Sequence, residues 1–126
     1  MKRILPIVAA VAFLAGLYFL PAGCRAAATP EVPAKGLVTM VDLGANKCMV
    51  CKMMSSIVDS LQKEYQGKAE IVFIDVWKNP EAGQKFGVKV IPTQIFYDKS
   101  GKEVYRHEGL LLKEAIISKL QEMGVK

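Results

Sequence analysis

A chain of 126 residues that is 52% hydrophobic has room and apolar content for one modest domain, which leaves out a multidomain enzyme. Its formal net charge of +5 falls to +2 beyond Ala28, where 14 Lys/Arg stand against 12 Asp/Glu. An excess that small, with Lys47, Lys52 and Lys63 interspersed among Asp59 and Glu64, argues against nucleic acid as a partner.

Residues 1–28 read as a targeting segment: a basic start at Lys2-Arg3, an apolar run from Ile4 to Leu20, then small residues from Ala22 to Ala28. Export is expected, to the periplasm or the outer face of the cytoplasmic membrane. The apolar run is nearly long enough to act as an uncleaved anchor, and Ala26-Ala27-Ala28 suits ordinary cleavage. Pro21-Ala22-Gly23-Cys24 resembles a bacterial lipobox, with Cys24 as the site of lipidation. Anchor, free form and lipoprotein all stay open. Residues 29–36, with Pro30, Pro33 and Gly36, read as a linker, and 37–126 as the folded domain.

The domain opens with Leu37 to Leu43, a short β-branched and mostly apolar run that suits a buried strand, and Gly44-Ala45-Asn46 turns the chain. From Cys48 the period becomes helical, because Met54, Ile57, Val58, Leu61 and Tyr65 fall on one stripe that ends near Gln66-Gly67. Ala69 to Asp75 reads as a second buried strand. Asn79-Pro80-Glu81 starts a short helix that stops by Gly87. Thr93 to Tyr97, a turn at Asp98 to Gly101, and Lys102 to Glu108 form a hairpin, and a helix from Lys113 to Met123 closes the chain. The order β-α-β-α-β-β-α begins with a right-handed parallel crossover and ends with an antiparallel pair, so an α/β fold around a four-stranded mixed sheet is expected.

The chemistry centres on Cys48-Met49-Val50-Cys51, placed where strand and turn hand over to a helix. Backbone N–H groups at a helix N-terminus favour a thiolate at the first cysteine, and the i, i+3 spacing lets the second reach it to form or resolve a disulfide. Three other readings exist for the motif alone. Structural zinc needs four ligands, and outside the targeting segment only His107 adds a Cys or His. Cu(I) could use the two thiolates with Met49, Met53 or Met54. An inert structural disulfide is common in exported domains.

Val41-Asp42-Leu43, Cys48-Met49-Val50-Cys51-Lys52, Asn79-Pro80, Val90-Ile91-Pro92-Thr93, Gly101 and Gly109 together resemble the thioredoxin family, over roughly Leu37 to Gly124. The resemblance implies a redox disulfide Cys48–Cys51 and a cis Pro92 beside the cysteines. It implies substrate contact at Met49, Val50, Ile91 and Pro92, with the Ile91 backbone pairing to an extended substrate. Asp42 corresponds to a buried acid that accepts the proton of the resolving thiol. The expected activity is protein disulfide reduction without cofactor or metal, on disulfide-containing proteins, by a monomer recharged from a membrane thiol reductant. A disulfide oxidase or isomerase of the same fold, or a copper-binding thiol carrier, is the alternative. The chain departs from the family pattern in carrying Met49-Val50 for Gly-Pro, Lys47 for a tryptophan, Phe73 for a buried lysine and Ser56 for a helix proline. The family's usual first strand and helix are cut short to the linker before Leu37.

Overall fold

The computed structural model describes residues 31–126. The expected targeting segment and Cys24 lie outside them. Seven elements follow in chain order: β1 (Val38–Gly44), α1 (Met49–Glu64), β2 (Ala69–Asp75), α2 (Pro80–Lys85), β3 (Thr93–Tyr97), β4 (Glu103–Glu108) and α3 (Lys113–Glu122). They make a four-stranded sheet in the order β2-β1-β3-β4, with β1 parallel to β2 and antiparallel to β3, and β4 antiparallel to β3. This is the mixed thioredoxin-type sheet the sequence predicts, with element ends shifted by a residue or two.

The central strand is buried along its whole length, because both of its faces are covered. On one face Val38 and Met40 pack with Met54, Val58 and Leu61 of α1, Phe96 of β3, and Ile116 and Leu120 of α3. On the other, Val41 and Leu43 pack with Ile95, Tyr97 and Phe86 beside α2. Side chains alternate faces along a strand, so two apolar sets in one seven-residue run account for its nearly continuous hydrophobicity. A single core side chain such as Leu61, fully removed from water, contributes about 1.5–3 kcal/mol. The helical stripe expected for α1 is the buried one, and Cys51 sits at its leading end with Met54, Val58 and Leu61 behind it.

The strand directions gather four connections at one end of the sheet. β1 and the parallel β2 finish there at Gly44 and Asp75, while the antiparallel β3 begins there at Thr93, opposite Leu43 and Glu108. The turn to Cys48, the loop after β2, the approach to Pro92 and the exit from β4 therefore converge. Residues 31–36 form neither helix nor strand, yet they lie against the domain. Gly36 N–H donates to the Lys99 carbonyl (3.1 Å), Ala34 N–H donates to Thr39 Oγ1 (3.1 Å), and Val32 packs on the α2-side core.

Candidate active site

Cys48 is the N-cap of α1, in extended conformation, and its Sγ accepts a hydrogen bond from the Cys51 backbone N–H at 3.3 Å. An N-cap side chain satisfies one of the N–H groups that the first helical turn leaves unpaired. Here that side chain is sulfur, so the helix start directs an N–H and the positive end of its dipole at the first cysteine. Cys48 is half-buried and Cys51 is only 1% exposed. Both are free thiols, the dithiol form of the pair.

Burial is the main cause that pushes the Cys51 thiol up to about 11, and the adjoining Cys48 sulfur and the negative charge of Asp42 push it the same way. The two cysteines thus differ in access, and the Cys51 thiol is held back from ionising. Alkylation with iodoacetamide at neutral pH is expected to modify Cys48 in the folded chain and to spare Cys51, whose raised pKa alone leaves about 100-fold less thiolate than an ordinary thiol. Peptide mass mapping before and after denaturation checks this. Equal labelling of both cysteines in the native state would contradict it.

The turn that delivers Cys48 is tied down from β2. Asp75 Oδ2 accepts the Asn46 N–H at 3.1 Å, and its Oδ1 accepts those of Trp77 and Lys78 at 2.9 and 3.1 Å. Burial pushes the Asp75 carboxyl up, but the hydrogen bonds from Asn46, Lys78 and Trp77 outweigh it and hold the group below the usual range. One carboxylate therefore couples the cysteine turn to the loop carrying Trp77. Gly44 lies in the same packing: a Cβ there would meet the Phe73 ring at 3.2 Å and Cys51 Sγ at 3.3 Å, so the absence of a side chain lets α1 seat its second cysteine close to the sheet.

Asp42, two residues before Gly44, is 0% exposed on the α1 side of the sheet. Its cross-strand neighbours are Phe73 on β2 and Gln94 on β3. Gln94 Nε2 donates to Asp42 Oδ1 at 2.9 Å. Burial raises the carboxyl from 3.8 to about 6 and outweighs that hydrogen bond, which acts to lower it. Phe73 thus stands directly beside the acid in the place the resemblance gives to a lysine, and among the described residues no cation offsets the burial there.

The Ile91–Pro92 bond is cis, as the resemblance implies. Pro92 is buried at the start of β3, and its carbonyl accepts the Gly109 N–H at 2.8 Å, closing the exit of β4 onto the same end of the sheet. Gly109 has φ +97°, a conformation that side chains rarely adopt. Among the described residues, the Ile91 backbone enters no backbone hydrogen bond, so its N–H and C=O are open to a partner. Met49 (76% exposed), Val50, Trp77 and Val90 are exposed apolar side chains on these converging segments, and Ile91, Trp77 and Val88 line one shallow groove.

The structure thus brings Cys48, Cys51, Asp42, Met49, Val50, Ile91 and Pro92 to one end of the sheet. His107 is not with the thiols, because its Nε2 lies 3.2 Å from the Leu110 carbonyl on β4's side. Among the described residues, no group of three or more His, Cys, Asp or Glu is placed to hold a metal. Sequence reasoning missed Asp75 and Gln94. A glutamine in the otherwise apolar Thr93–Tyr97 strand, and an aspartate ending the Ala69–Asp75 strand, were the available signals.

The family model described as Thioredoxin matches residues 29–122. Thioredoxin of Rickettsia conorii is 32% identical over 69% of this chain and 82% of its own length, and thioredoxin 2 of Chlorobaculum tepidum is 36% identical over 73% and 84%. Among solved structures, Fasciola hepatica thioredoxin superposes with a TM-score of 0.63 at 31% identity, covering 71% of this chain and 83% of that one. A thioredoxin from Nicotiana alata gives 0.62 at 31% identity, covering 70% and 74%. With the sheet order, the dithiol at a helix start and the cis proline at the same end of the sheet, these matches establish that the chain belongs to the thioredoxin family of thiol–disulfide oxidoreductases.

Proposed function

We propose that this protein reduces protein disulfides outside the cytoplasm, cycling Cys48 and Cys51 between dithiol and disulfide. The observation that carries the reading is the asymmetry of the pair: an accessible sulfur capping α1, and a buried one whose thiol is pushed up to about 11. Cys48 as thiolate attacks one sulfur of an accessible substrate disulfide, and the other substrate sulfur leaves as a thiolate. Cys51 then attacks Cys48 Sγ in the mixed disulfide, Asp42 takes its proton, and the second substrate sulfur leaves. The substrate gains two electrons and the pair is left oxidised.

Because the Cys51 thiol lies far above the Asp42 carboxyl in proton affinity, Cys51 keeps its proton in the resting dithiol. Transfer to Asp42 accompanies sulfur–sulfur bond formation, which is the role of a general base positioned within the core. The exposed apolar side chains of Met49, Val50, Trp77 and Val90, with the open backbone of Ile91, suit an extended, partly apolar stretch of substrate chain.

Residues 1–28 carry the extracytoplasmic part of the proposal: the basic start, apolar run and small residues read as an export signal or anchor, with Cys24 as a site for lipid. A reductant working there is recharged by electrons that cross the membrane, so a membrane thiol reductant is its partner, and the chain acts as a monomer. The deciding measurement is the reduction potential of the Cys48–Cys51 couple, by equilibration in defined thiol buffers with a mass readout. The expected value lies near about −270 mV, as in thioredoxin, whereas about −180 to −120 mV would turn the assignment to an isomerase or oxidant. Failure to form the disulfide at all would turn it to a thiolate metal carrier.

A further inference from the structure

Asp42 Oδ2 and Gln94 Oε1 are the two buried side-chain polar atoms that lack a hydrogen-bond partner among the described residues. They belong to the same pair of side chains, already joined by the Gln94 Nε2 to Asp42 Oδ1 bond at 2.9 Å. Both residues are fully buried and stand directly opposite each other on β1 and β3. While Asp42 is a carboxylate, both unpaired atoms are acceptors, and neither can satisfy the other. A proton on Oδ2 converts one of them into a donor. A carboxylic acid and a primary amide then match atom for atom, each giving one hydrogen bond and accepting one.

We propose that Gln94 is a positioning residue that holds Asp42 in its protonated form through a two-bond acid–amide pair, Gln94 Nε2 to Asp42 Oδ1 and Asp42 Oδ2–H to Gln94 Oε1. The proposal rests on the dithiol cycle, and gives the proton released by Cys51 a defined resting place. In the step that resolves the mixed disulfide, the Cys51 S–H bond breaks, the proton moves to Oδ2, the Cys51–Cys48 bond forms and the substrate thiolate departs. The acid left behind is neutral and fully hydrogen-bonded within the core.

The groups facing Asp42 leave Gln94 as its partner in this exchange. From α1 come Cys51 and, through it, Cys48; β2 presents the uncharged Phe73; and β4 adds His107 beyond Gln94, with its Nε2 directed at the Leu110 carbonyl. Lysines of α3 pair with acids outside this row, Lys113 with Glu64 and Lys119 with Glu122.

Two opposite signs separate the proposal from a simpler one. If Gln94 acts only as a donor to Oδ1, it favours the carboxylate, and its removal raises the proton affinity of Asp42. If the pair closes on protonation, the carboxylate form leaves a buried carbonyl unpaired beside a charged oxygen, and the second hydrogen bond is gained only by the protonated form. Removal then lowers the affinity. Gln94→Met keeps length and volume without either polar atom, and Asp42 is titrated in both chains by NMR with carboxyl-labelled aspartate. The expected result is a proton affinity about tenfold lower in Gln94→Met. An unchanged or raised affinity overturns the proposal.

Should Gln94→Met fail to fold, the infrared carbonyl band of protonated Asp42 in the unsubstituted chain, assigned by its loss in Asp42→Asn, decides instead. A band lowered by two hydrogen bonds is expected, and one at the position of a free buried acid overturns the pairing. Neither readout depends on exchange activity, so failure of the dithiol cycle would show separately, as exchange surviving in Cys48→Ser.

Discussion

Cys48→Ser is expected to reduce disulfide exchange to the rate without protein, while Cys51→Ser is expected to retain the first attack and accumulate a covalent complex with substrate. A serine hydroxyl is not ionised at neutral pH and cannot form the mixed disulfide, so the loss at position 48 is complete rather than partial. The substitution is also unusually clean. Serine is among the preferred N-cap residues, and its Oγ can accept the Cys51 N–H that Cys48 Sγ now accepts at 3.3 Å, so α1 keeps its start. At position 51 the logic is reversed. The side chain is only 1% exposed, too little for it to attack a substrate itself, so its loss leaves nucleophile and access intact and removes only the resolving sulfur. Incubation with a disulfide-bonded peptide, followed by mass spectrometry without reductant, should show the adduct in Cys51→Ser alone. Retained turnover in both variants would sink the mechanism.

Much of this site was legible because its signals are local. A change from strand to helical period at Cys48 places a CxxC at a helix start, and the buried stripe through Met54, Val58 and Leu61 follows from spacing alone. The relative directions of the first two and the last two strands were legible too, since the run between the first two strands is long enough for a crossover while Asp98 to Gly101 fits only a turn. What stayed hidden depends on register. Asp42 has Gln94 beside it because β1 pairs with β3 in one particular alignment. A one-residue slip would put another residue there and turn Gln94 to the opposite face. Asp75 is hidden for a related reason: a carboxylate ending a strand reads as solvent-facing until a turn 29 residues earlier in sequence is seen to donate to it. The Gly44 contact with Phe73 and Cys51 likewise joins three segments.

The buried acid also sets a second large effect, on stability rather than rate. Asp42 has its carboxyl raised from 3.8 to about 6 in the folded chain, so between those values the folded state binds a proton that the unfolded state has released. Folding is therefore favoured at low pH by this group and loses that contribution as pH rises through about 6, a change of about 3 kcal/mol once both states are ionised. Asp42→Asn removes the charge and retains the shape. Its Oδ1 can accept from Gln94 Nε2 as before, and its Nδ2–H can donate to the Gln94 Oε1 that otherwise lacks a partner. The variant is expected to be more stable than the parent above pH 6 by up to about 3 kcal/mol, with the gap closing as pH falls toward 3.8. Asp75, Asp98, Glu64 and Glu103 have lowered pKa values and titrate in the opposite sense, but they are common to both chains and cancel in the difference. Urea unfolding of both proteins at matched pH values measures it, and a gap that does not vary with pH would mean that Asp42 is not the titrating group. The same variant should resolve mixed disulfides about 100-fold more slowly, because an amide cannot take the Cys51 proton. Gain in stability with loss of rate at one residue is the signature of a charge kept in the core for its chemistry.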